Sequence, residues 1–253
     1  LKVCLFLRTN KGVELTEAGR SLYQQSQHMF QNFRMMVDSV RDVDAGVRGL
    51  LKVGVVYSNT PVVLNYLKAY HKEYPQVELY IRVGSPGDLL DDLNRGDLHV
   101  LFLRTPTEGS SDFHEKSLGE DPLELVMCPE LDPAPDQDSI PIELLKDVPM
   151  CLLRSDDLWG YSSHLINECQ RKGFTPYTVC QCYDTPMTMQ LVQAGFGISY
   201  LPRSIVETHP GSNIYSKPLV GLPAKSYPTL LWSSNIYYAN CVKRFISMFG
   251  YPT

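Results

Sequence analysis

From Leu15 onward the apolar residues fall at Leu15, Ala18, Leu22, Met29, Phe33, Met36, Val40 and Val43. The steps between them are three, four or seven, a heptad a/d seam with one polar gap at Gln25 and Ser26. Thr16 can cap the N-terminus of such a helix, and Glu17 suits its first turn. A helix of roughly 25 residues is about 40 Å long. That length and so narrow a stripe predict pairing with a second copy of itself. The other reading is a long helix packed on its own domain.

After the breakers Asp44-Ala45-Gly46 and Arg48-Gly49 the period changes. Leu50 to Val56 is a near-continuous apolar run that predicts a buried parallel strand. Tyr57-Ser58-Asn59-Thr60-Pro61 follows, with Thr60 placed as a cap and Pro61 at the first helical position. A helical pattern then runs through Val63, Leu64, Leu67 and Tyr70. Val77–Val83 reads as a strand, Asp88–Asn94 as a helix and Leu98–Leu103 as a third strand, a β-α-β-α-β unit with a parallel sheet.

The second half repeats the theme. Thr105–Asp121 is polar and reads as a loop, Leu123–Cys128 as a strand, and 131–139 as a Pro-containing loop. A short helix is expected at Ile140–Leu145 and a strand at Met150–Leu153. A helix at His164–Lys172, a strand at Val179–Tyr183 and a helix at Met187–Ala194 follow. Gly195–Pro202 reads as a turn plus strand, 227–233 as a strand and Ile236–Phe249 as a terminal helix. Residues 123–220 thus form a second α/β lobe.

Composition sharpens this only in places. The 253 residues are 43% hydrophobic and 20% charged, as in an ordinary globular protein. The net charge of -5 hides an asymmetry. Residues 1–52 carry eight bases and five acids, leaving -8 for the rest. A basic end is where a phosphate backbone would be met. No apolar run approaches a membrane span, so no membrane partner is expected. The seven cysteines are scattered without a C-x-x-C pair, which argues against zinc or dithiol chemistry and fits reduced thiols in a cytoplasm. Cys180 and Cys182 suit neighbours on one strand face. A redox sensor using Cys169 and Cys180 is a minor alternative. His28, His71, His99, His114, His164 and His209 form no recognisable catalytic pair, and no phosphate-binding G-x-x-x-x-G-K occurs. The chain therefore does not read as an enzyme, and no cofactor or metal is implied.

Two stretches carry a resemblance. Leu5-Phe6-Leu7-Arg8, a short turn around Gly12, and Leu15-Thr16-Glu17-Ala18-Gly19 resemble the wing and linker-helix start of the LysR-type transcriptional regulators, whose pattern is LF-x-R followed by LTEAG. The resemblance implies that residues 1–15 are the remnant of a winged helix-turn-helix, with most of its base-reading part lacking before Leu1. It makes 16–45 the linker and dimerisation helix. It implies that Arg8, Lys11 and Thr16 meet the DNA backbone; on the residues alone they could be ordinary surface groups of a solvated hairpin.

The rest of the chain is similar to the family's effector domain, an α/β two-lobed fold of the type 2 periplasmic-binding-protein kind. One lobe would be 50–122 plus 225–253, and the other 123–224, with "GxGIxxLP" matched by Gly195–Pro202. His99 stands where the family usually has aspartate. The resemblance implies a small-molecule effector in the interlobe cleft, held by Ser58, Ser85, Arg104, Trp159 and Tyr161, with Asn59, Thr60 and Thr185 as neighbours. Arg104 lies at the C-terminal end of the third strand, where the ligand crevice of an open α/β sheet falls. A cation beside helix N-termini suits an organic acid. On sequence, Arg104 is equally well an exposed loop arginine or a domain-interface salt bridge, and Tyr161 a packing residue.

The implied function is an effector-responsive DNA-binding regulator acting as a homodimer or homotetramer. The alternative is a solute-binding protein or receptor of the same fold without a DNA function, which leaves Phe6–Gly19 and the heptad seam unexplained.

Overall fold

The computed structural model describes residues 2–9, 12–42, 47–104, 112–154, 161–209, 213–222, 224–234 and 236–251. The chain opens with a hairpin, β1 (Phe6–Thr9) and β2 (Gly12–Leu15), paired antiparallel with Arg8 opposite Val13. Helix α1 (Glu17–Asp42) follows, 26 residues long. The Thr16 hydroxyl accepts from the Gly19 amide (2.9 Å) and donates to the Cys4 carbonyl (2.7 Å). It therefore caps α1 and ties it to the chain before the hairpin. A side chain at Gly19 would collide with the Leu5 carbonyl, so the glycine is what lets this segment lie on the first turn of α1.

The first lobe is built from β3 (Gly49–Val56), α2 (Thr60–Glu73), β4 (Val77–Gly84), α3 (Pro86–Arg95), β5 (Val100–Arg104) and β6 (Phe113–Ser117). The chain then enters the second lobe: β7 (Asp121–Met127), β8 (Ile140–Pro141), β9 (Met150–Leu153), α4 (Tyr161–Arg171), β10 (Thr178–Cys182), α5 (Thr185–Gln193), β11 (Ser199–Pro202), α6 (Arg203–Glu207) and β12 (Tyr215–Val220). It returns through β13 (Lys225–Ser226) to β14 (Pro228–Ser233) and ends in α7 (Asn240–Ser247).

The first sheet has the order β4-β3-β5-β14-β6. β3 is parallel to β4 and β5, as its apolar run predicts, while β14 is antiparallel to β5 and β6. Leu51, Val53 and Val55 face α2 and α7, meeting Leu67, Tyr70, Val242 and Phe245. The other face packs Leu89 and Leu93 of α3 against Leu98, Leu101 and Leu231. The second lobe pairs β7 with β11 and β12, and the parallel β9–β10 pair joins β11 through a Met150–Ile198 bridge. One of its faces buries Leu125, Met127, Leu165 and Tyr200 beside α4, the other Val126, Met189 and Val192 beside α5.

The lobes are joined by two strands. Ser226 of β13 pairs with Asp121 of β7 and Lys225 with Pro122, in antiparallel register, so the crossings form a hydrogen-bonded ribbon.

Several expectations change. Residues 113–117 are an edge strand, not loop: among the described residues β6 pairs only with β14, and its polar side chains face solvent on an edge where charge discourages further pairing. Ile140–Leu145 is not one helix but the two-residue β8 followed by a 3-10 turn, Ile142–Leu145. Thr60 does not cap α2. A 3-10 turn, Tyr57–Asn59, is inserted after β3, the cap position falls on Asn59, and the exposed Thr60 donates back to the Tyr57 carbonyl. His99 pairs with Lys52 through both its ring and its backbone. Its Nδ1 accepts from the Lys52 amide at 3.1 Å, and its own amide donates to the Lys52 carbonyl at 2.9 Å.

Candidate functional site

β5 ends in Arg104, whose side chain is 2% exposed. Its guanidinium has five N–H donors, and the surroundings supply an acceptor for each. Nε and Nη2 donate to the Ser58 carbonyl at 3.1 and 2.8 Å. Nη1 donates to Asp121 Oδ2 (2.6 Å) and Ser226 Oγ (2.8 Å). Nη2 also donates to Ser204 Oγ (3.0 Å). Asp121 in turn accepts from the Ser204 amide (3.1 Å) and from its hydroxyl, and Ser226 donates to the Asp121 carbonyl (3.0 Å). Arg104 is thus not an open cation awaiting a carboxylate. It is a buried salt bridge at the domain junction, one of the readings its position allowed, and not an exposed loop arginine.

Tyr161 opens α4 in the second lobe and reaches the same cluster. Burial pushes its hydroxyl up to about 12, while the Arg104 charge and the nearby Ser226 and Ser58 pull the other way. The structure therefore brings Ser58, Arg104 and Tyr161 together. Sequence reasoning missed Asp121, Ser204 and Ser226, which lie 17, 100 and 122 positions from Arg104. No local motif links them. The available signal was chemical: a buried arginine needs a carboxylate.

The remaining predicted residues divide. Ser85 is exposed at the end of β4 and is occupied as the N-cap of α3, accepting from the Asp88 amide (3.3 Å) and donating to the Asp88 carboxylate (2.7 Å). Asn59 is fully buried, and among the described residues neither its Nδ2 nor its Oδ1 has a hydrogen-bond partner. Thr185, 4% exposed, likewise has an unpartnered Oγ1. They come from opposite lobes: Asn59 ends the 3-10 turn preceding α2, and Thr185 is the first residue of α5, which lies against that turn. Asp184 caps α5 by accepting from the Met187 amide at 2.7 Å, leaving the Thr185 hydroxyl unused. An unsatisfied buried polar atom costs about 1–3 kcal/mol, so two residues carrying them on facing elements call for a common explanation. Ser199 Oγ, in β11, is also unpartnered. Trp159 and Lys11 lie outside the described residues.

A separate open cavity of about 300 Å³ sits between α2, α6 and the crossover, lined by Val62, Asp121, Arg203, Ser204 and Glu207 among others. It does not include Asn59 or Thr185, and its charged walls are already paired: Arg203 meets Glu207 at 3.1 Å.

The cysteines are free thiols where described. Cys151 and Cys180 face each other across β9 and β10, with burial pushing the Cys151 thiol well up, which is the opposite of thiolate activation. Cys169 packs in the other face's core, so a Cys169–Cys180 sensor is not what the fold assembles. No helix among the described residues is long and apolar enough to cross a membrane.

Comparison with known families supplies the deciding observation: residues 44–250 match the LysR substrate binding domain. The chain belongs to the LysR family of transcriptional regulators. Among relatives of this LysR-family chain, the HTH-type transcriptional regulator BsdA of Bacillus subtilis is 26% identical over 250 residues, covering 98% of this chain and 86% of BsdA. Full-length CbnR, solved in complex with its target DNA, superimposes with a TM-score of 0.68 at 18% identity, covering 98% of this chain and 84% of that one. The CcmR regulatory domain of Synechocystis, solved in complex with 2-PG, gives a TM-score of 0.69 at 15% identity, with 80% and 96% covered. The structural likenesses establish a shared two-lobed fold, and family membership assigns the chain to regulation of transcription through an effector-binding domain.

Proposed function

We propose that this LysR-family chain senses a small organic acid between its two lobes and passes the signal through α1 to a DNA-bound oligomer in the cytoplasm. The observation that carries the reading is the placement of Asn59 and Thr185 on facing elements of different lobes, buried polar groups without a partner among the described residues. Together they offer amide and hydroxyl donors beside the starts of α2 and α5. Helix starts favour negative charge. With Arg104 neutralised by Asp121, a carboxylate would be held by those helix ends and hydroxyls instead. Ser58, Tyr161 and Arg104 would support the wall of the cleft rather than touch the ligand first. Ser85 and Thr60 face solvent and stand outside this group.

At the other end, Arg8 is exposed on the hairpin, where it would meet a phosphate, while Thr16 orients the hairpin on α1. CbnR with its target DNA supports that placement, and the 2-PG complex of CcmR supports a small-molecule ligand. Leu22, Met29, Phe33 and Met36 are 41%, 62%, 59% and 51% exposed on α1. That stripe suits pairing with a second copy, and it sets this reading apart from a solute receptor.

A thermal-shift screen of small mono- and dicarboxylates against uncharged amides and sugars tests the proposal. It expects a carboxylate to raise the melting temperature saturably in the wild type and not in Asn59→Leu. A ligand that stabilises both equally would remove the site from Asn59.

A further inference from the structure

The Arg104 cluster distributes its members over both lobes. Arg104 and Ser58 belong to the first lobe, at the end of β5 and in the 3-10 turn after β3. Asp121 and Ser226 are partners in the crossover ribbon, while Ser204 lies in the first turn of α6 and Tyr161 begins α4 of the second lobe. We propose that this cluster is a latch setting the resting angle between the lobes, with Arg104 as a positioning residue at the joint.

The geometry carries the inference in three steps. First, Asp121 holds Ser204 through its amide and hydroxyl, so the start of α6 and the start of β7 move as one unit. Second, that unit and Ser226 meet Arg104 through three acceptors: Asp121 Oδ2, Ser226 Oγ and Ser204 Oγ at 2.6, 2.8 and 3.0 Å. The guanidinium is planar, and its donors lie in a fixed fork. Tilting the second lobe about the ribbon therefore lifts acceptors out of the fork plane. Third, the other edge of the fork is fixed by the Ser58 carbonyl, so Arg104 cannot follow the tilt without releasing the turn that carries Asn59. The same turn faces α5. The angle between the lobes and the position of Asn59 are thus coupled through one side chain. An effector would shift the angle only by its differential affinity for the two arrangements.

The inference goes beyond the effector proposal and does not depend on it, because it is read without any ligand. Spin labels are placed through Asp91→Cys on α3 and Gln170→Cys on α4, both exposed. Cys4 and Cys180 are replaced by serine, and labelled chains are diluted into unlabelled ones. Pulsed electron resonance then gives the interlobe distance distribution. One narrow distribution is expected for the parent chain. Ser204→Ala, which removes one acceptor from the fork, should broaden or shift it while circular dichroism is unchanged. Arg104→Lys, which keeps the charge and loses the fork, should broaden it further. A Ser204→Ala distribution matching the parent in mean and width overturns the latch, and that variant decides the matter even if Arg104→Lys fails to fold.

Discussion

Arg104 and Asp121 form a buried ion pair, Nη1 to Oδ2 at 2.6 Å, with side chains 2% and 8% exposed. It sits where the chain leaves one lobe for the other, and its energetics govern several expectations. Removing one member of a buried pair strands the other charge in a poorly solvated site. Asp121→Ala should therefore destabilise the chain by about 3–5 kcal/mol, read as a fall in the urea midpoint. Replacing both residues with apolar ones of similar volume, as Arg104→Met with Asp121→Leu, should recover most of that loss.

Asn59 and Thr185 should behave in the opposite way. Each holds a buried polar group without a partner among the described residues, so a shape-matched apolar replacement removes an unmet desolvation cost. Asn59→Leu and Thr185→Val should each raise the stability of the ligand-free chain by about 1 kcal/mol, measured by urea unfolding. A loss of stability in both would mean that these groups serve the fold.

His99 gives a pH dependence. Burial, aided by the Lys52 charge, lowers its pKa from 6.5 to about 4 in the folded chain. The unfolded chain then binds the proton more readily between those values. The neutral-imidazole contribution is complete above pH 6.5 and is lost as pH falls toward 4, by up to about 3 kcal/mol. His99→Asn keeps an acceptor for the Lys52 amide and does not titrate. Its melting temperature should fall less steeply than the wild type over that window.

The exposed stripe on α1 predicts self-association. Phe33 is 59% exposed on a 26-residue helix, and a charge there would be buried in any paired seam. Phe33→Glu should reduce the mass found by light scattering to that of a monomer, with the lobes' melting temperature little changed. An unchanged oligomer would place the interface elsewhere.

What the sequence reveals follows from how local each signal is. The alternation of β3, α2, β4, α3 and β5 is legible because apolar runs, Pro61 and the glycine breaks act within a few residues. The α1 seam is legible for the same reason. β6 is hidden because Phe113–Ser117 is a polar edge whose partner, β14, lies more than a hundred positions later. Thr60 was misplaced by one helical start, since a 3-10 turn leaves no mark in the apolar pattern. Asn59 and Thr185 were within reach as residues at helix starts, but only burial distinguishes them from Thr60 and Ser85. Arg104 could be placed at a strand end, whereas its saturation by Asp121, Ser204 and Ser226 is a property of tertiary structure alone.

On the proposed reading, an organic acid binds between the lobes at Asn59 and Thr185. Calorimetric titration of the most stabilising carboxylate into the wild type, Asn59→Leu and Thr185→Val tests it most directly. Loss of a buried hydrogen bond to a charged group is worth about 1.5–3 kcal/mol, so each variant should bind about ten-fold or more weakly. Equal affinity in all three proteins would mean that the acid does not bind at Asn59 and Thr185.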